Sequence, residues 1–202
     1  MKASSVVVPA LLAALCVRCA VDGIGDSWGG NVAISHAGDD QEHPAVIPDG
    51  SGNAIIVWSD QQIHAQKVDP DLAFQWGPQG VVVTSADGWQ QVPVICGDGA
   101  GGVIVAWEDC RNGIDNRDIF VQRVAGSGAP AWAANGVSLA SEAGDQVTPA
   151  IVPDGAGGAI VAWVTGDSGS GTLDVRAQRV DKDGVAQWTA NGVAVASAAG
   201  NQ

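Results

Sequence analysis

The chain has 202 residues, enough for one domain or for part of a larger one, and its Lys+Arg total of 9 against Asp+Glu of 22 gives a net charge of −13. That balance excludes nucleic acid, whose binding depends on Lys and Arg neutralising phosphates, and it excludes anionic membrane surfaces. It reads as a solubilising acidic surface.

In chain order, the first element is a processing signal. Lys2 precedes an apolar segment, residues 6–17, too short for the roughly 20 residues that a membrane span needs. The shape predicts a secretory signal peptide over residues 1–20, with cleavage after Cys16 or Cys19, and hence a secreted or cell-surface protein. A lipoprotein anchor is the rival, disfavoured by Leu15 and Arg18 standing before the two cysteines. Cys96 and Cys110 remain. They lie on successive strands of one predicted hairpin, offset along it by roughly 20 Å at strand rise, beyond disulfide reach. Two buried free thiols are expected.

Residues 21–40 read as the end of a repeat unit without its beginning. Trp28 is followed by Val32, Ala33, Ile34 and Ser35, matching the last strand of the units that follow. Three full units come next, over 41–89, 90–145 and 146–201. Each opens on Gln-x-x-Pro (Gln41 and Pro44, Gln90 and Pro93, Gln146 and Pro149). An Asp-Gly turn and an apolar run ending in tryptophan follow: DGSGNAIIVW, DGAGGVIVAW and DGAGGAIVAW. Asp-Gly supplies the positive-φ positions of a tight hairpin, and a short run apolar on both sides fits a strand covered on both faces. Then come Gln66, Gln122 and Gln178, each before Lys or Arg and Val, and a second tryptophan, Trp76, Trp132 or Trp188, before Gly-Val.

The unit starts at 41, 90, 146 and 202 give periods of 49, 56 and 56. The shortfall lies wholly between the first tryptophan and the glutamine, which marks a tolerant surface loop. Each unit reads as four antiparallel strands. Four strands every ~50 residues predict β-propeller blades; a string of small sandwiches fits less well, since a sandwich takes about 100 residues. The fold expected is all-β: three four-stranded blades plus an orphan strand, a truncated propeller. Gln202 stands where a fourth unit would begin, so missing blades or self-association are expected to cover the open faces.

The pattern D-G-x-G-G-x-I-V-x-W…Q-R-V-D-x-x-G-x-x-x-W…G-V-x-V resembles repeats of secreted bacterial β-propeller proteins of unassigned function. The resemblance covers residues 28–202 and implies a propeller without any catalytic residue. Sialidase-type propellers are resembled more loosely; their S-x-D-x-G-x-x-W box is absent, and so is the tyrosine their chemistry uses.

Recurrence in every unit points to packing. Trp58, Trp107 and Trp163, with Trp76, Trp132 and Trp188, read as core wedges, and the three glutamines as donors and acceptors satisfying backbone groups between blades. Trp89 stands where other units have Asp145 and Asn201, outside the repeating core, and is the leading candidate for ligand or partner contact. Glu108, Asp109, Asp115 and Asp118 cluster near one loop and are the other contact candidates, with calcium as a conceivable guest. Asp60 and Asp109 are equivalent, but Thr165 replaces them in the third unit. His64 sits at a variable position read as exposed, and His36 and His43 show no metal spacing. The function expected is an exported non-enzymatic scaffold or binding module contacting protein or glycan through loops; the alternative is part of a propeller-type carbohydrate-active hydrolase.

Overall fold

The computed structural model describes residues 33–35, 40–166 and 173–197. The signal segment, Trp28, His36 and Gln202 lie outside them. Twelve strands form three four-stranded antiparallel sheets, each in sequential order. The first holds β1 (Glu42–Pro48), β2 (Ala54–Ser59), β3 (Ile63–Val68) and β4 (Val81–Thr84). The second holds β5 (Gln90–Gly97), β6 (Val103–Asp109), β7 (Asp118–Val124) and β8 (Val137–Ala140). The third holds β9 (Asp145–Pro153), β10 (Ala159–Gly166), β11 (Asp174–Val180) and β12 (Val193–Ala196). These are three blades of a β-propeller, one per repeat unit.

Two apolar layers lie between the blades. Ile55, Val57, Ile63 and Val83 of blade 1 meet Val103, Val105 and Trp107 of blade 2. Ile104, Ala106, Ile119 and Leu139 of blade 2 meet Ala159, Val161 and Trp163 of blade 3. The run 103–107 thus sends alternate residues into opposite layers, which is why it is apolar throughout. At roughly 1.5–3 kcal/mol per buried large side chain, these layers are the main source of cohesion. On the far side of blade 1, Ile34 packs against Ile56, Trp58 and Val68, the position that Leu139 takes relative to blade 3.

The Gln-x-x-Pro opening is a β-bulge. Strand pairing slips at 43–44, 92–93 and between Val147 and Ala150, and the residue before each proline has positive φ: His43 51°, Val92 51°, Thr148 52°. Proline has no N–H to offer a ladder, so it belongs where the ladder is interrupted.

In each Asp-Gly turn one carboxylate oxygen ties down the loop. Asp98 Oδ1 accepts the N–H of Ala100 and of Gly102, both at 2.8 Å, and Asp154 Oδ1 does the same for Ala156 and Gly158. Gly99 and Gly101 sit at φ 74° and 80°. The other oxygen pairs with the basic residue after the repeat glutamine: Lys67 with Asp49 at 2.6 Å, Arg123 with Asp98 and Arg179 with Asp154 at 2.9 Å.

Glycine at 136 has a packing reason beyond its φ of 87°: a Cβ there would lie 2.5 Å from the Trp107 ring. Gly50, at φ 83°, faces open space. Gly50→Ala should cost about 1 kcal/mol through backbone strain. Gly136→Ala should cost a further ~1–3 kcal/mol, because the indole must move within a close-packed layer. Chemical denaturation of the two variants measures the difference, and equal losses would contradict the Trp107 packing.

Candidate functional site

Trp89 is 56% exposed and borders a groove of about 270 Å³ between blades 1 and 2, which it shares with Asp40, Glu42, Ser59, Asp60, Gln61, Gln90 and Gln91. Three carboxylates, three amides, a hydroxyl and an indole therefore converge. The groove exists because blade 1 departs from the repeat at three places. At the junction of blades 2 and 3, Arg117 reaches Asp145 at 2.6 Å and Glu108 at 3.4 Å. Glu108 also accepts the Thr148 N–H at 2.8 Å and the Gln91 amide at 3.2 Å. That ion triad fills the space. In repeat register, Ser59 replaces Glu108, Gln61 replaces Arg117 and Trp89 replaces Asp145. With the plug gone, a shorter residue, an amide and an outward-facing indole remain.

The groove wall is held rigidly. The Gln90 N–H donates to Gln61 O at 2.9 Å, and Cys110 N–H to Trp89 O at 2.7 Å. Gln90 is fully buried, and its Nε2 donates to the carbonyls of Ala86, Asp87 and Gly88 at 3.1–3.2 Å. Its Oε1 has no partner among the described residues. Asp60 is held by His64 Nε2 at 2.8 Å, and the His64 ring stacks on Trp58 at 5.6 Å.

Several expected contact residues prove to be internal. Asp109 is fully buried, bonded by Trp107 Nε1 at 2.8 Å and twice by Arg111 at 2.7 Å. Arg111 in turn lies 3.7 Å over the Phe120 ring. Glu108 is buried in the triad, and Asp118 is fully buried with Asn112 at 2.6 Å. These acids therefore do not form the exposed cluster expected: each is buried with its own internal partner. Asp115 is exposed on the loop after β6. His64, expected to be exposed, is half-buried because stacking on Trp58 and the pair with Asp60 use both its ring face and its nitrogen. Among the described residues no group of three or more His, Cys, Asp or Glu could hold a metal ion.

The repeat glutamines satisfy backbone groups within a blade, not between blades. Gln122 Nε2 donates to Ala133 O at 2.8 Å, and its Oε1 accepts from Arg123 N and Trp132 N at 3.0 and 2.9 Å; Gln66 and Gln178 repeat the arrangement. The second tryptophans, by contrast, make a bond between blades. Trp76 Nε1 donates to Gly126 O at 3.1 Å, and Trp132 Nε1 to Lys182 O at 3.0 Å. The first tryptophans are buried, Trp107 in the layer between blades 1 and 2 and Trp163 in that between blades 2 and 3, while Trp58 lies on the Ile34 side.

Burial raises the Cys96 thiol to about 12, with Asp154 and Asp98 adding to the shift, and it raises Cys110 as well. Both cysteines are free and buried, a setting that favours the protonated thiol over the thiolate.

The chain is a β-propeller protein by its three blades. No family model matches it, and no curated protein does. Among solved structures it is similar to a thermostable family-43 glycoside hydrolase at 13% identity and TM-score 0.48, over 77% of this chain and 54% of that one. An endo-arabinase from Bacteroides thetaiotaomicron gives 14% identity and TM-score 0.49, over 79% of this chain and 64% of that one. An endo-1,4-beta-xylanase from the same organism gives 12% and 0.47, over 80% and 55%. The chain spans half to two thirds of their length.

The turn carboxylates set the acid sensitivity. Burial pushes Asp98 up, but the N–H groups of Ala100 and Gly102 and the Arg123 guanidinium outweigh it, holding Asp98 below its ordinary 3.8. The Ala156 N–H and Arg179 do the same for Asp154. A depressed folded value means stability that is full above about 3.8 and is lost as pH falls towards the folded value. Buried Asp118, whose carboxyl is raised, acts with the opposite sign. Stability should therefore fall below about pH 4, and the paired Asp98→Asn, Asp154→Asn variant should show a shallower fall. An unchanged slope by denaturation across pH 2–6 would contradict the ion-pair assignment.

Proposed function

We infer that this is an exported binding module that holds a neutral glycan in the groove between blades 1 and 2. One observation carries the reading: the ion triad that seals the next junction is replaced by Ser59, Gln61 and Trp89, which leaves an open slot beside an exposed indole. An indole face suits the apolar face of a sugar ring, and its neighbours suit hydroxyls. Gln61 and Gln91 offer donors and acceptors, and Asp40 and Glu42 offer acceptors. The three carboxylates disfavour anionic glycans by charge. Export rests on Lys2 and the apolar segment 6–17.

A hydrolytic reading stands second, favoured by the gathering of Asp40, Glu42 and Asp60 in one groove, since glycoside hydrolysis uses two carboxyl groups flanking a linkage. Asp109 is not among them, being neutralised inside blade 2.

A neutral-glycan array followed by tryptophan fluorescence titration tests both readings. Trp89→Ala should weaken binding of any hit about tenfold or more, as loss of a stacking face worth ~1–1.5 kcal/mol implies. The triple substitution Ser59→Glu, Gln61→Arg, Trp89→Asp rebuilds the plug of the neighbouring junction. It should abolish binding without lowering thermal stability. Binding that survives the rebuilt plug places the ligand elsewhere. Release of reducing ends from a bound glycan, lost in Asp60→Asn or Glu42→Gln, would instead establish the hydrolytic reading.

A further inference from the structure

The two junctions are built from one set of contacts, and blade 3 carries half of a third set. At both junctions the forward apolar face of a blade is sealed by the next: Ile55, Val57 and Val83 by blade 2, and Ile104, Ala106 and Leu139 by blade 3. The corresponding residues of blade 3 are Ile160, Ala162 and Val195. Val195 is 64% exposed, against 2% for Val83 and 3% for Leu139, and Ile160 and Ala162 are half-buried. The tryptophans follow the same gradation, from Trp76 at 6% to Trp188 at 39%.

The polar contacts recur at the same spacing. Besides the indole bonds, Ser85 N–H donates to Asn135 Oδ1 at 3.0 Å and Ser141 N–H to Asn191 Oδ1 at 3.2 Å. Both asparagines have left-handed backbones, φ 61° and 59°. Each tryptophan also needs a glycine opposite. A Cβ on Gly128 would come within 2.8 Å of the Trp76 ring, and a Cβ on Gly184 within 2.8 Å of Trp132. The receiving side of a junction therefore has a chemical definition: a backbone carbonyl, a glycine two residues beyond it, and an asparagine amide. On blade 3 the donor half stands ready in Trp188 and the Ser197 N–H.

We propose that the Trp188 face docks one further unit of this repeat, and takes only a unit with glycine at the position of Gly128 and Gly184. The first blade of a second copy does not qualify. It has Leu72 at the glycine position and Gln79 at the asparagine position, and its outer face already carries Ile34. Two Trp188 faces paired about a two-fold axis do not qualify either, since the indole N–H groups would meet donors rather than acceptors.

The test extends the full chain after Gln202 with a second copy of residues 147–201, which continues the 56-residue spacing, and carries Val195→Cys as a reporter. Val195 is exposed and the two described thiols, Cys96 and Cys110, are buried, so with Cys16 and Cys19 replaced by serine thiol labelling reads this face alone. Extension should slow labelling about tenfold or more, as burial under a folded unit requires. Leucine in the appended unit at the place of Gly184 should restore fast labelling. Equal labelling with and without the extension would overturn the proposal, as would protection that the leucine leaves intact. The unextended protein should sediment as a monomer; a dimer dissolved by Trp188→Ala would overturn the choice of partner in favour of a second copy.

Discussion

A sheet that is apolar on both faces cannot end a structure; it has to be one layer among several. That constraint governs each unit here. Residues 103–107 face blade 1 and blade 3 alternately, and not one of them can be made polar without spoiling a layer. The cohesion of the protein is therefore a property of neighbours rather than of single blades, as in repeat proteins whose stability sums unit and interface terms. Everything polar in the repeat then serves to set the sheets at one fixed separation.

That polar wiring divides into two circuits with different reach. The glutamine after strand two of each unit binds three backbone groups of its own blade and fastens the segment that carries the second tryptophan. The tryptophan then reaches across to the next blade's carbonyl. Gln122 thus acts on the neighbouring blade only through Trp132, by fixing where the indole starts. The turn aspartates work in the same local way, with one oxygen on the loop N–H groups and the other on Lys or Arg. Because the repeat glutamines and turn aspartates bond internally, side chains that look reactive in the sequence are consumed as structure.

Much of the fold was legible in the sequence because its signal repeats. Period, strand number, turn positions and the both-sided burial of strand two all follow from three aligned units, and the free, buried state of Cys96 and Cys110 follows from their offset along one hairpin. The polar geometry was less legible. A glutamine recurring in every unit announces a buried amide but not whether its partners lie in the same sheet or the next, since both choices leave the same spacing. The acidic cluster misled for a related reason. Glu108, Asp109 and Asp118 are close in sequence, yet partners drawn from the same loop engage them internally: Arg117 and Arg111 pair with the first two, and the Asn112 amide donates to the third. The sequence shows the charges and their counter-charges alike, and folding decides which meet.

The candidate site was legible only as an exception, and the exception proves more informative than any motif. Trp89 stood out because other units have Asp or Asn there. What the sequence could have added is that its register partners change with it. Where blade 2 has Glu108 and Arg117, blade 1 has Ser59 and Gln61, so the indole is one of three coordinated departures that together remove an ion triad. A single substitution at that place would leave a buried charge without its partner, at a cost of several kcal/mol; all three together remove the triad and leave a slot open. In a molecule whose units are otherwise interchangeable, coordinated loss of a structural plug is the physical mark of a surface released from packing and free to meet something else.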